Sequence, residues 1–450
     1  MPTPSPAPAA AVIAVPSTAA TVRSAWWWVP SLYFGQGIPY VVVMALSVIM
    51  YKRLEVSNTD IALYTSWLYL PWVIKPLWSP LVDMFRTKRF WIVSLQLLIG
   101  AALALVALTL PGSNFFKMTL AVFWLMAFSS ATHDIAADGF YMLALKEHEQ
   151  AAFVGVRSTF YRVAMIAGQG GLVYLAGRVE EATGNVPFAW TVVFIALAGL
   201  FLTLAAYHAF VLPKPLPDVQ RAPGPNPLAD FFGVFTSFLT QPGIARILAF
   251  LLLYRFGEAQ LIKLAAPFLL DSASQGGLAL TTQQVGVVYG TFGIACLTAG
   301  GLLGGYVISR HGLKRWLWPM ALTINVPHLV YVYLSYALPT NLWLIGLAVS
   351  VEQLGYGFGF AAYLLYMIHV AGANGDASAG GNSGAHKTAY YALCTGFMAL
   401  GMMLPGMVSG WVQSQLGYAH FFVWVCVSAI PALFAVALVK VPDGFGRKIS

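Results

Sequence analysis

The sequence predicts an all-α membrane protein of twelve transmembrane helices, and three observations lead to this prediction. Of its 450 residues, 59% are hydrophobic and only 9% are charged, whereas a soluble domain carries about 25% charged residues. The apolar residues fall in long blocks, and the mean hydropathy is +0.74. Twelve spans of roughly 20 residues need roughly 240 residues, which leaves enough chain for loops and tails. This composition excludes an ordinary cytosolic enzyme, a disordered protein and a nucleic-acid binder that works by surface charge.

The apolar blocks form two sets of six around a polar linker. Residues 1–25 are rich in Pro, Ala, Ser and Thr, which predicts a disordered cytoplasmic tail. The first bundle, residues 26–212, has predicted spans at 26–50, 61–83, 90–110, 117–145, 150–177 and 188–211. The second bundle, residues 244–440, has predicted spans at 244–270, 283–308, 315–336, 341–370, 388–411 and 419–440. Residues 213–243 begin with a proline-rich run and are predicted to be a cytoplasmic linker, and residues 441–450 a cytoplasmic tail.

The distribution of Lys and Arg predicts the orientation. With an even number of spans, the termini and the even-numbered loops share one side of the membrane, and the odd loops share the other. The odd loops hold four basic residues: Lys52, Arg53, Lys117 and Arg178. The termini and even loops hold fourteen: Arg23, Arg86, Lys88, Arg89, Lys146, Lys214, Arg221, Arg310, Lys314, Arg315, Lys387, Lys440, Arg447 and Lys448. Because basic residues concentrate on cytoplasmic loops, both termini are predicted to be cytoplasmic.

A basic loop is repeated six spans apart. SPLVDMFRTKRFW (79–91) and GGYVISRHGLKRWLW (304–318) each combine a small-residue helix end, a short basic loop and an aromatic start to the next helix. The loop resembles the Gly-x-x-x-Asp-Arg-x-Gly-Arg-Arg signature of the major facilitator superfamily, with Asp83 at the acidic position and Ser309 in the second copy. The alternative is a generic basic loop that follows the charge rule. Six plus six spans with a long central loop are typical of that superfamily.

Nine ionisable residues lie well inside the predicted spans. Each costs several kcal/mol unless it faces a cavity or a partner. Five are basic and four acidic, so the set is nearly balanced, which suggests ion pairs around one central cavity. The nine are Lys75, Asp134, Asp138, Arg157, Arg162, Arg255, Glu258, Lys263 and Glu352.

Four of these residues are acidic, and they are the candidate proton-coupling sites. Asp134 and Asp138 are four residues apart and therefore share one helix face. Two carboxylates in that position repel each other, so one would retain a proton unless a cation intervenes. The alternative is that they only pair with Arg157 or Arg162 of the next span to hold the fold together.

The other two acidic residues lie in the second half. Arg255 and Glu258 are spaced i,i+3, so a structural pair that neutralises itself remains an alternative for them. Glu352 has no local cation, which favours it as a proton site. His328 and His369 lie in or near spans, and a lone histidine there is more often structural than a proton relay.

The sequence contains no pattern of an enzyme or a metal site. Cys296, Cys394 and Cys426 all lie in apolar blocks and have neither a disulfide framework nor metal-ligand spacing. No CxxC, HExxH or P-loop motif is present. We therefore predict no catalytic residue, no metal and no cofactor.

Short motifs recur along most of the spans: LYFGQGIPY (32–40), KPLWSPLVD (75–83), HDIAADGF (133–140), YRVAMIAGQGG (161–171), LYRFGE (253–258), EQLGYGFGFAAY (352–363) and KTAYYALCTGFMALGMMLPGMVSGWVQSQLGY (387–418). Together, in this order, they resemble the AmpG-type muropeptide permeases and, more distantly, the acetyl-CoA transporters of the same branch of the superfamily. One departure is Asp138-Gly139-Phe140-Tyr141, where the family commonly has Asp-Ala-Tyr-Arg, so a cation is missing.

The resemblance implies proton-dependent import of cell-wall breakdown products across the bacterial inner membrane. The expected cargo is a GlcNAc–anhydroMurNAc disaccharide with or without peptide, the expected partners are the proton and the lipid bilayer, and we expect a monomer that binds no nucleic acid. Basic side chains suit the substrate carboxylates, and aromatic side chains suit the sugars. The predicted substrate-binding residues are Tyr33, Gln36, Lys75, Arg162, Arg255, Lys263 and Tyr363.

Two other functions stay open at this point. The same cationic cavity would serve a different organic anion, such as acetyl-CoA. A membrane-bound sensor, or an enzyme acting on lipid-linked sugars, is a further alternative. Such an enzyme would be expected to show a concentrated acid–base or metal cluster and an attached soluble domain, and neither pattern is visible in the sequence.

Overall fold

The computed structural model describes residues 24–145, 147–214, 227–375 and 383–447, and these residues contain helices and no strand. Most of the predicted N-terminal tail and the first part of the linker therefore lie outside the described residues. Also outside the described residues are the backbone of Lys146, Arg221 and Lys448 and the side chains of Asp83 and Lys387.

Within the described residues the helices group into twelve spans that form two six-helix bundles, which confirms the predicted fold class. The first bundle contains α1 (Ala25–Arg53), α2 (Asn58–Trp67 and Leu70–Met84), α3 (Lys88–Thr109), α4 (Phe115–Ala144), α5 (Glu147–Ile166, Ala167–Leu172 and Val173–Thr183) and α6 (Val186–Val211). The second contains α7 (Ile244–Leu253 and Phe256–Leu270), α8 (Thr282–His311), α9 (Leu313–Ala337), α10 (Leu342–Gly375), and α11 and α12 within Ser383–Ser428 and Ile430–Leu438. The limits of the two domains and the cytoplasmic position of the linker stay predictions.

Eight helical stretches of the described chain are long and apolar enough to cross a membrane. One of them, Tyr390–Leu438, contains both α11 and α12, because Gly417 breaks the helix with φ 70° and ψ 169°. Interruptions divide α2, α5 and α7 into shorter segments. Large apolar side chains such as Leu108, Phe210 and Trp343 point outward, as expected for surfaces that contact lipid rather than water.

The helix ends follow from local sequence. The side chains of Ser57, Thr87 and Asn185 each accept a hydrogen bond from a backbone N–H of the first turn of α2, α3 and α6. Thr281 and Gln284 form a capping box at the start of α8. These residues satisfy N–H groups that have no partner within the helix. A helix of thirteen residues, Pro227–Leu239, occupies the second half of the linker.

Three helices contain a widened π-helical turn at a stretch rich in small residues or just after a proline. The turns are Val42–Leu46 after Pro39 in α1, Ala167–Leu172 in α5 and Gly286–Gly293 in α8. The turns of α5 and α8 meet across the two bundles, where a Cβ atom on Gly290 would lie 2.0 Å from the carbonyl oxygen of Gln169. Glycine is therefore required for this close approach of two backbones.

The bundles are joined at one end, which we call the closed end and define by Lys52, Asn58, Glu180, Asp271 and Thr282. Lys52 Nζ lies 2.5 Å from Asp271 Oδ1. The amide of Asn58 donates to Gln413 and Tyr418 in the second bundle, and Thr282 donates to Glu180, which also pairs with Arg53. The charge bias predicts that this end faces outside.

Candidate functional site

The charged residues predicted to lie inside the spans converge on the interface of the two bundles. Asp134, on α4, is mostly buried and has two partners from α2. Lys75 Nζ lies 3.5 Å from Asp134 Oδ2, and the indole N–H of Trp72 donates to the same oxygen over 3.2 Å. The side chain of Gln36, on α1, lies beside this carboxylate. The Tyr40 ring packs edge-on against Trp72 at 5.4 Å, so an aromatic wall adjoins this ion pair.

Asp138 lies one helical turn further along α4 and has a different cation. Its Oδ1 accepts from Arg157 and from the hydroxyl of Tyr33, both over 3.1 Å. The guanidinium of Arg157 also covers the Tyr33 ring at 4.5 Å. The two carboxylates thus have separate counter-ions, and Arg157 on α5 supplies the cation that the run after Asp138 lacks. The side chain of Asp138 is 40% exposed, so this part of the interface is open.

Two further basic residues connect the bundles. Arg162, on α5, donates to Thr298 Oγ1 on α8 over 3.4 Å. Lys263, on α7, is buried, donates to Thr65 Oγ1 on α2 over 3.0 Å and lies 5.2 Å from the centre of the Tyr69 ring. Each of the two cations therefore joins a helix of one bundle to a helix of the other by a hydrogen bond to a neutral threonine hydroxyl.

Arg255 stands at the break in α7 and does not form a hydrogen-bonded pair with Glu258. Its guanidinium donates to the hydroxyl of Tyr356 and covers the Phe360 ring at 4.8 Å. It also interacts electrostatically with Tyr40 and Tyr69 of the first bundle. Arg255 therefore belongs to the same aromatic interface as Trp72. Arg255 caps the helical segment Phe256–Leu270 that carries Glu258, but its guanidinium has its hydrogen bond with Tyr356.

Tyr363 is buried within the second bundle. Its hydroxyl donates to the carbonyl of Leu251, and its ring stacks on Tyr254 at 5.3 Å with an interplanar angle of 6°. The predicted contact of this hydroxyl with substrate stays a prediction, since the hydroxyl already has a partner in this conformation.

Glu258, His328 and Glu352 form a buried cluster, which we call the Glu–His–Glu cluster. Glu258 Oε2 lies 2.9 Å from His328 Nε2, and both side chains are 0% exposed. One ligand atom from each of the three residues lies within 4.8 Å of the others. Glu352 Oε2 accepts from Gln353 over 2.9 Å. Glu258 Oε1, His328 Nδ1 and Glu352 Oε1 are buried and have no hydrogen-bond partner.

His328 is the residue of this cluster that the sequence favoured as structural and did not place among the candidate site residues. It lies 70 positions from Glu258 and 24 from Glu352, so no local spacing joins the three. The only signal was an imidazole inside an apolar block. The same three residues are also the ones that offer ligands for a shared metal ion among the described side chains.

Comparisons with known proteins agree with this fold. Residues 31–392 match the sequence profile described as Major Facilitator Superfamily. The chain is 26% identical over 419 residues to the anhydromuropeptide permease of Escherichia coli strain K12, covering 91% of this chain and 78% of the relative. It is 23% identical to a protein named putative transporter AmpG 4 from Rickettsia conorii, covering 88% and 92%. A solved D-xylose–proton symporter shares the fold, with a TM-score of 0.66, 12% identity, and 94% and 98% coverage.

Proposed function

Because the chain belongs to the Major Facilitator Superfamily and is a multi-pass secondary transporter of small molecules, we propose that it imports muropeptides together with protons. The proposed cargo is GlcNAc–anhydroMurNAc with or without its peptide. The proposed route crosses the bacterial inner membrane, with both termini in the cytoplasm and one chain sufficient for transport. The name of the E. coli relative, anhydromuropeptide permease, supports the cargo.

The observation that carries the proposal is the combination of cations and aromatic rings at the bundle interface. Lys75, Arg162 and Arg255 reach this interface from three different helices. A muropeptide has several carboxylates on a sugar scaffold, so separated cations beside aromatic rings suit it. When substrate binds, Lys75 would leave Asp134 and pair with a substrate carboxylate. The Lys75–Asp134 salt bridge is 3.5 Å long, longer than a strong charge-assisted hydrogen bond, so a substrate carboxylate can replace Asp134 at little cost.

Transport would follow from rocking of one bundle against the other. The closed end is held by Lys52–Asp271 and by the hydrogen bonds of Asn58, whereas Asp138 near the opposite end remains 40% exposed. Opening the closed end and closing the other would present the same interface to the other side of the membrane.

The test is uptake by proteoliposomes that contain the purified full chain. We expect a labelled anhydro-disaccharide tripeptide to accumulate when the outside is acidified, and unlabelled muropeptide to compete for uptake. Acetyl-CoA serves as the competing anion. Uptake of acetyl-CoA without uptake of the labelled muropeptide would contradict the proposed cargo and favour transport of another organic anion.

A further inference from the structure

The Glu–His–Glu cluster lies in the core of the second bundle, away from the partly exposed Asp134–Asp138 face. Its three members come from α7, α9 and α10. Each member has a buried polar atom without a hydrogen-bond partner. Such atoms are costly in a membrane interior, so their presence in one small space indicates a site that binds something small and positive.

We propose that Glu258, His328 and Glu352 bind the transported proton, and that Arg255 couples this proton to the anionic substrate. This inference rests on the proposed function and assigns its coupling site to the second bundle. Glu258 Oε2 and His328 Nε2 are 2.9 Å apart, which is the distance of a direct hydrogen bond, so one proton shared by the two atoms accounts for their approach. A metal ion would use the same atoms as ligands, and the sodium-gradient experiment below distinguishes the two.

The charges around the cluster define how many protons it needs. The groups that interact electrostatically with the two carboxylates are Arg255 on α7, Tyr289 on α8, Tyr331 on α9 and Tyr356 on α10. The phenols are neutral, and Arg255 contributes +1. With both glutamates ionised and His328 neutral, the sum is +1 −2 = −1, so one bound proton makes the region neutral.

Substrate binding changes this balance through Arg255. A substrate carboxylate that binds the Arg255 guanidinium adds one negative charge to the same region. The cluster compensates by binding a second proton or by binding the first proton more tightly. Tyr356 lies between the two sites, since it accepts a hydrogen bond from Arg255 and interacts electrostatically with both Glu258 and Glu352. By linkage, the proton then strengthens anion binding by the same factor. Anion and proton therefore bind together and leave together.

The first test uses the unmodified protein. Isothermal titration calorimetry with peptide-free anhydro-disaccharide, in buffers of different ionisation enthalpy, counts the protons taken up on binding. We expect net uptake of a proton when the ligand binds. Binding without any proton uptake at any pH near neutrality would overturn the coupling through Arg255.

The second test compares amide variants. We expect Glu352→Gln and Glu258→Gln to reduce proton-driven accumulation to equilibration, an inside-to-outside ratio of about 1, while counterflow exchange of preloaded substrate continues. His328→Gln is the third variant and should weaken accumulation in the same way. Asp443→Asn, which removes an exposed carboxylate paired with Lys314, is the matched control and should accumulate substrate normally.

The outcomes separate this inference from the proposed function. If the wild type fails to accumulate muropeptide, the proposed function fails. If the wild type accumulates it and all three cluster variants do so equally, the cluster is not the proton site. Loss of accumulation in Asp138→Asn alone would place the site in the first bundle instead. A wild type driven by a sodium gradient and insensitive to the proton gradient would also overturn the inference.

Discussion

A single methyl group at Gly290 should hold the transporter open at its closed end. The Cβ of an alanine there would lie 2.0 Å from the Gln169 carbonyl oxygen and 2.2 Å from its carbonyl carbon. Ordinary contact begins at 3.4 Å, so the α5 and α8 backbones must separate by 3.4 − 2.0 = 1.4 Å. Overpacking of this kind costs about 1–3 kcal/mol. The contact joins the two bundles through α5 and α8, the helices that carry Glu180 and Thr282 of the closed end, so the alanine destabilises the conformation described here.

The cost converts directly into a change in populations. A free-energy difference of about 1–3 kcal/mol shifts a two-state equilibrium about 5- to 150-fold. The shift favours the conformation in which α5 and α8 are apart. Transport should slow, because each cycle must pass through the conformation in which the closed end is shut, and that conformation becomes less populated. The fold should be retained.

Thiol labelling of Ser66→Cys, in a chain whose three native cysteines are replaced, measures this shift. Ser66 is fully buried between α2 and α11, where a Cβ on Gly406 would lie 2.7 Å from its hydroxyl. We expect Gly290→Ala to increase the labelling rate by a water-soluble maleimide about 5- to 150-fold. Gly305→Ala in the same helix, with no atom within 4 Å of the added Cβ, is the control and should leave labelling unchanged. Equal labelling in both variants would refute the reasoning.

Four other substitutions have defined expected outcomes. Lys75→Ala and Arg162→Ala should reduce uptake of the tripeptide form more than that of the peptide-free disaccharide, and equal loss for both substrates would indicate a structural role. Asp271→Asn removes the counter-ion of Lys52 and should destabilise the closed end by about 3 kcal/mol, seen as faster Ser66→Cys labelling; an unchanged rate would contradict this. Gln96→Leu leaves the His133 and His208 nitrogens at 3.1 Å and 2.9 Å without their partner, so thermal stability should fall by the equivalent of about 1–3 kcal/mol. An unchanged melting temperature would show that this buried network is dispensable.

The helices could be predicted from the sequence because each is marked by a continuous block of apolar residues in the chain. Each of the twelve apolar blocks coincides with one observed helix. The largest differences are at helix ends, since backbone hydrogen bonds continue beyond the apolar block. α5 runs to Thr183 rather than to 177, and its last turns include Glu180, which is held by Arg53 and Thr282. The meeting of the π-helical turns of α5 and α8 depends on packing between the bundles and was not predictable from local pattern.

The site was only partly predictable, because its pairings join distant parts of the chain. The sequence identified the charged residues and left the partner of Asp138 open, and the structure pairs it with Arg157. For Glu258 the expected local alternative was Arg255, whereas the hydrogen-bonded partner is His328 on α9. The spacing between two helices in sequence carries no information about which faces meet, so this partner required the folded chain.

The central claim is that muropeptide and proton cross the membrane together through this chain. The most direct measurement is simultaneous recording of muropeptide uptake and internal pH in proteoliposomes that initially have no pH gradient. Adding peptide-free anhydro-disaccharide outside should acidify the interior in step with sugar uptake, and a protonophore should abolish accumulation driven by an imposed gradient. Uptake of the sugar with no change in internal pH, or accumulation that survives the protonophore, would contradict the account.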